Sequence, residues 1–253
     1  MVNPPNSLDH RLEQLGGSLR VSPQPSSPSQ PQPSQRDDMS GIHIVVPLSW
    51  EMTYKRHNAS MFGLRKGNAT TTWIQADTIA GMRNEGIRRT RGEGAKKVLF
   101  IDADMTFDID ALERLLSHDV PIVGGLCRQR REPFSATLWR REGKGHFMVP
   151  PEGHGLQEYD ATGGAFLLVD MSVFDGIDKQ VNVEGRYFVD QRDNVALPKE
   201  ERCSEDIYFC NLVRHCGFPL YVDLSCKIGH LVIGEVIDGD DHEPQFRLEK
   251  GAQ

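Results

Sequence analysis

Apolar residues in this chain cluster in short unbroken runs, the mark of strands buried on both faces of a sheet rather than of half-exposed strands, which alternate. Residues 98–101 are the clearest case, a Val-Leu-Phe-Ile run that ends abruptly at Asp102 and Asp104. Residues 42–47, closed by Pro47, form a run of the same kind. Further strands are predicted at 71–74, 121–123 (stopping at Gly124 and Gly125), 165–169 and 220–222. Between them the pattern changes to a helical period. Asp77 or Thr78 can cap a helix running to about Arg89, with Ile79, Met82 and Ile87 at apolar positions. Asp108 can cap a helix over 109–117, a short helix is predicted at 171–174, and Ser204 opens a helix over 205–216 that Gly217 ends. Residues 50–66 read as polar and irregular, 135–140 and 146–149 as a small antiparallel section, and 150–155 as a turn-rich loop. Strand, helix, strand, helix, strand is the opening of a doubly wound α/β domain, and no internal repeat is visible.

The chemistry sits where these elements end. Asp102 and Asp104 leave the third strand at its carboxyl edge, where open α/β sheets bind ligands. Side chains at i and i+2 of an extended segment share a side, so the pair can converge on one hard cation or one polar ligand. With Asp108 assigned to the helix cap, neither has an evident structural task. Glu205 and Asp206 fall in the first turn of a helix, where acids either complement the macrodipole or, at the mouth of a cleft, serve as a general base. Gly163 and Gly164 precede a strand, as a simple bend or as a place where backbone approaches a ligand closely. His230 follows an apolar stretch and reads either as a satisfied histidine or as a metal ligand that would favour manganese over magnesium. Arg83 and Asn84 lie within a helix, as solvated polar groups or as contacts to a base or diphosphate.

Composition narrows the setting. Residues 1–38 are dominated by Pro, Ser and Gln and are expected to be a disordered tail, leaving 39–253 as a single domain. No run reaches the roughly 20 apolar residues of a membrane span, and no apolar leader opens the chain, so a cytoplasmic protein without a membrane span is expected. The formal net charge of −7 argues against nucleic acid as the main partner. Arg128, Arg130 and Arg131 nevertheless form a local basic cluster that could meet an anion or only face solvent. Cys127, Cys203, Cys210, Cys216 and Cys226 include no C-x-x-C pair and read as free thiols in a reducing compartment.

The order of these pieces (a strand into Asp102-x-Asp104, the Gly163-Gly164 strand entrance, the Ser204-Glu205-Asp206 helix start and the downstream Gly229-His230-Leu231) resembles the GT-A fold glycosyltransferases, especially the compact family 2-like members of bacteria and phages. The resemblance covers about 41–234 and implies a Rossmann-like mixed, mainly parallel sheet flanked by helices. It implies that Asp104 binds a divalent metal, Mn2+ or Mg2+, bridging the donor diphosphate, that Asp102 contacts ribose or shares the metal, and that His230 completes the metal site. Asp206, paired with Glu205, would be the catalytic base of an inverting enzyme; Gly163 and Gly164 would lie beside the donor sugar and acceptor. Pro47, Arg83 and Asn84 would contact the nucleotide. The paired acids that the family carries after its second strand are replaced here by Gln75-Ala76-Asp77. The function so implied is transfer of a hexose from a UDP- or GDP-sugar to a hydroxyl of a glycan, protein or other acceptor, with acceptor choice in loops 142–155 and 182–202. Strand-end aspartates also serve nucleotidyltransferases and metal-assisted phosphohydrolases, and a non-catalytic nucleotide or glycan binder would carry the same elements.

Overall fold

A computed structural model describes residues 38–48, 53–143, 145–232, 234–238 and 244–248; the tail expected at 1–38 falls, but for Asp38, outside them. In chain order the first elements are β1 (Ile42–Pro47), α1 (Lys55–Gly63), β2 (Thr70–Ile74), α2 (Ile79–Gly92), β3 (Lys97–Ile101), β4 (Met105–Thr106) and α3 (Ala111–Ser117). There follow β5 (Ile122–Leu126), β6 (Leu138–Glu142), β7 (Gly145–Met148), β8 (Leu156–Tyr159), β9 (Ala161–Thr162), β10 (Phe166–Asp170) and α4 (Met171–Gln180). After a single 3-10 turn come α5 (Glu205–His215), β11 (Leu220–Lys227), β12 (Gly229–Leu231), β13 (Gly234–Asp238) and β14 (Pro244–Leu248).

The unbroken apolar strands are divided residue by residue between two cores. Val45, Val98, Phe100, Leu167 and Val169 face one core, which α2, α4 and α5 cover. Ile44, Val46, Leu99, Ile101, Phe166 and Leu168 face the other, covered by α1 and α3. This is the physical reason for runs without alternation: both sheet faces are buried. The sheet has seven strands in the order β2-β1-β3-β10-β5-β11-β8. Five run in one direction, while β10 and β8 run against their neighbours. The fold is thus mixed α/β around a mostly parallel sheet. Smaller sheets, β14-β13-β12-β4 and β7-β6-β9, flank it. Among the described residues no helix is long and apolar enough to cross a membrane.

Several elements differ from their sequence expectation for identifiable reasons. The 50–66 stretch, read as irregular, contains α1, whose buried residues are only His57 and Met61, too few to leave an apolar period. Helix α3 starts at Ala111, not 109, and no side chain caps it; Asp108 accepts from Ala111 N through its backbone carbonyl instead, at 3.1 Å. Asp108 therefore does not supply the side-chain cap expected of it. Helix α4 continues to Gln180 because Val173, Phe174 and Ile177 keep its face buried, and Asp170 caps it by accepting from Ser172 N at 2.9 Å. Strand β5 runs through Gly124 and Gly125 instead of stopping at them. A Cβ on Gly125 would lie 2.6 Å from Ile228 Cγ1, so glycine here permits close packing rather than a turn. Strand β8 was not anticipated. The Thr78 cap is as expected, accepting from Gly81 N at 3.0 Å. All five cysteines are free thiols, four of them buried.

Helix α2 lies close against β1, for a Cβ on Gly86 would meet Val45 Cγ1 at 2.6 Å. Gly86→Ala is therefore expected to destabilise the fold by about 1–3 kcal/mol through overpacking, outweighing alanine's better helix propensity. A lower urea midpoint with an unchanged denaturant slope is the expected readout; an unchanged or raised midpoint would contradict this packing.

Candidate functional site

Reversal of β10 assembles the site. Because β10 runs antiparallel to β3, its beginning lies at the carboxyl end of β3, with Asp102 N donating to Ala165 O at 2.9 Å. Gly163 and Gly164 are thereby brought beside the aspartates. Strand β4 pairs with β12, setting His230 opposite Met105, and Leu231 N donates to Asp104 O at 2.8 Å. Two residues 126 positions apart in sequence thus become neighbours through one short ladder, Asp104 and His230.

At the centre is Arg83, only 2% exposed. Its Nη1 donates to Glu205 Oε1 at 2.7 Å, and its Nη2 donates to Asp102 Oδ1 and Oδ2 at 3.0 and 3.1 Å. Its guanidinium carbon lies 5.6 Å from the centre of the Phe188 ring. A Cβ on Gly164 would stand 2.9 Å from that same carbon, so Gly164 is a glycine because Arg83 occupies the space. Burial pushes the Glu205 carboxyl up, and the Asp206 charge adds to this, against the opposing pull of Arg83. Burial disfavours the Arg83 charge, but the Asp102 and Glu205 carboxylates more than compensate and raise its pKa.

Around this ion cluster opens a cavity of about 570 Å³, lined by Arg83, Asp102, Gly163, Gly164, Glu205 and Asp206 and by Arg128, Arg130, Arg131 and His230. Among the described residues Asp206 is held through one oxygen: its Oδ1 accepts from Ser204 Oγ and, at 2.9 Å, from Ile207 N. Its Oδ2 lies towards Gly163, 3.7 Å from where a Cβ would stand. Arg130 Nη2 meets Asp104 Oδ2 at 2.5 Å, and Arg130 Nε donates to His230 Nε2 at 2.7 Å. With Nε2 accepting from Arg130, the His230 Nδ1–H donates to Arg128 O at 2.7 Å. Burial works to raise the Asp104 carboxyl, but its polar surroundings, the Arg130 charge among them, outweigh it and hold it below its usual range.

The cavity thus gathers Asp102, Gly163, Gly164, Glu205, Asp206 and His230, with Asp104 in contact with Arg130 and His230. Pro47 and Asn84 do not line it. Asn84, read as a possible nucleotide contact, instead clamps the Phe188 backbone, donating to its carbonyl at 2.9 Å and accepting from its amide at 3.0 Å. Arg83, also read as a nucleotide contact, does line the cavity, though it is buried and its Nη1 and Nη2 are engaged by protein carboxylates. Sequence reading gave no role to His57, which is fully buried on α1, with its ring nitrogen 2.9 Å from Met105 O and no partner for Nε2. Burial lowers its pKa. It also gave none to Phe188 or Thr137; a Cβ on Gly163 would lie 3.2 Å from Thr137 Oγ1. Ser204 was read only as a helix start, yet its hydroxyl orients Asp206.

No protein-family model and no curated protein matches this chain. Among solved structures, the crystal structure of A197 from STIV is similar to it, with a TM-score of 0.54 at 13% sequence identity over 84% of this chain and 96% of that one. At that identity the likeness is one of fold.

Whether a divalent cation fits is decided by the donors present. Asp104 Oδ1 is buried without any hydrogen-bond partner, and His230 Nε2, which accepts from Arg130 Nε, lies 3.6 Å from Asp104 Oδ2. Asp102 has both oxygens on Arg83. Among the described residues no group of three or more His, Cys, Asp or Glu side chains is arranged to hold a metal ion. Asp104 and His230 bring two donors together, and a cation held there would need its remaining ligands from outside the protein.

Two outcomes follow from these charges. Removing Arg83 leaves Asp102 and Glu205 uncompensated, so Arg83→Met is expected to cost about 3–5 kcal/mol, read as a fall in the urea midpoint. The lowered Asp104 carboxyl means that the folded state binds fewer protons than the unfolded one. Its contribution to stability is present above the ordinary carboxylate range and is lost as pH falls through the lowered value. Asp104→Asn should therefore flatten the acid limb of urea midpoint against pH, from the ordinary carboxylate range downward; an unchanged limb would show that Asp104 carries no such linkage.

Proposed function

We propose that this protein is a metal-dependent glycosyltransferase of GT-A type, moving a sugar, of hexose class, from a nucleotide-diphosphate donor to an acceptor hydroxyl. The observation that carries the reading is what one cavity gathers: Asp206, whose Oδ2 makes no hydrogen bond among the described residues, together with His230 and three arginines, of which Arg130 also holds Asp104. A nucleoside diphosphate that departs with its charge and an acceptor that loses a proton need such cationic and carboxylate groups.

In this reading Asp104 and His230 hold Mn2+ or Mg2+. When bound, the ion neutralises charge on the departing diphosphate as a Lewis acid. Arg128, Arg130 and Arg131 add positive potential to the same cavity. Gly163 and Gly164 leave space where side chains would obstruct donor sugar and acceptor. Asp206 Oδ2 accepts the acceptor's proton, while Ser204 and the Ile207 amide fix the carboxylate through its other oxygen. Glu205 and Asp102 are positioning residues that act through Arg83, with Asp102 also at the cavity wall for a ribose hydroxyl. The donor is expected to be a UDP- or GDP-sugar.

The test is release of nucleoside diphosphate from a panel of nucleotide sugars, with Mn2+ and a broad set of hydroxyl acceptors. Wild type is expected to turn over one donor class, and Asp206→Asn to lower kcat by about 10²–10⁴-fold with the fold intact. Release of pyrophosphate or inorganic phosphate instead would assign the site to a nucleotidyltransferase or phosphohydrolase. Donor binding that Asp206→Asn leaves untouched, without turnover, would make it a binder.

A further inference from the structure

We propose that Arg130 occupies the cation position of this site, so that the arginine and a divalent ion take turns on Asp104 and His230. The inference rests on the reading of Asp104 and His230 as a cation half-site and adds how loading of that site is controlled. The guanidinium donates to Asp104 Oδ2 through Nη2 and to His230 Nε2 through Nε, at 2.5 and 2.7 Å, so one positive group bridges both donors that a metal would use. Asp104 Oδ1 is buried and unpartnered. Arginine's planar fork satisfies one carboxylate oxygen and the imidazole and does not reach the second oxygen, whereas an ion coordinated by the carboxylate can engage either.

Exposure sets the direction of exchange. The Arg130 side chain is 51% exposed and the Asp104 side chain 12%. Arg130 can swing into solvent at little cost in hydration, but Asp104 cannot follow it and would be left as an uncompensated, mostly buried charge. The arginine therefore departs when another cation arrives. It is a competitor of the metal, and its removal from the site delivers a free guanidinium to the cavity that Arg128 and Arg131 also line. An incoming diphosphate would bind the displaced Arg130, so the anionic ligand and the metal assist each other's binding by the same factor.

The experiment is an Mn2+ titration of the full chain followed by the electron paramagnetic resonance signal of free Mn2+, with no nucleotide sugar present. Arg130→Gln is expected to bind Mn2+ about tenfold more tightly than wild type, the scale of one partly buried charge-assisted pair. Arg130→Lys, which keeps the charge and loses the fork, should fall between them, and Arg130→Gln combined with Asp104→Asn should lose the gain. Equal or weaker affinity in Arg130→Gln, a gain that survives Asp104→Asn, or no Mn2+ binding by either protein would overturn the proposal. The readout separates it from the catalytic reading. Tighter Mn2+ binding without any sugar transfer would leave the exchange standing and remove the glycosyltransferase; transfer with equal Mn2+ affinities would do the reverse.

Discussion

A guanidinium buried as deeply as that of Arg83 needs carboxylates against its charge, and in this protein that requirement ties together the elements around the cavity. Arg83 comes from α2, Asp102 from the end of β3, Glu205 from the first residue of α5, Gly164 from the approach to β10, and Phe188 from the long connection between α4 and α5. Five segments remote in sequence meet on one planar cation. Charges taken out of water are costly unless mutually satisfied, and satisfaction here demands that all five segments be in register. The cluster works as a condition on the fold at the carboxyl edge of the sheet more than as a source of net stability.

The same cluster sorts the acids by role. One cation serves two carboxylates, and burial with the adjoining Asp206 charge pushes Glu205 up towards protonation. Asp206 stands outside the exchange, anchored through one oxygen by Ser204 and the Ile207 amide, with the other turned towards the cavity. Neighbouring acids in one helix turn thus have separate tasks, one holding an arginine and one facing the ligand space. The cavity is also lined by the three arginines of the 128–131 segment, on a chain whose net charge is −7. Net charge describes the whole surface, while the ligand meets the local field.

Legibility in the sequence followed the range of the interaction. Runs such as 98–101 announced strands buried on two faces, and Thr78 announced its helix, because burial and capping act within a few residues. Helix α1 was not legible, since only His57 and Met61 of its nine residues are buried and its polar composition hides the period. Arg83 and Asn84 were read as solvated groups or nucleotide contacts, and their structural partners were missed, for a related reason. Their partners lie 122 and 104 residues away, Glu205 and Phe188, and nothing local marks a helix position as facing a buried acid or a backbone clamp. Gly125 was read as a strand end because glycine signals a turn and a close approach in the same way.

Residue chemistry by itself determined which side chains could matter: the aspartates after β3, the paired glycines, the acids opening α5 and the histidine after β11 all come to one region. What they do to one another was decided only in three dimensions. The reversed strand β10 carries the glycines to the aspartates, and the β4–β12 ladder carries His230 to Asp104. Arg130 lies on the pair that a metal would use, and Arg83 takes Asp102 away from it. Strand order and direction set these distances, and long-range electrostatic pairing is a property of distance, so a linear pattern names the participants while the tertiary arrangement assigns their partners.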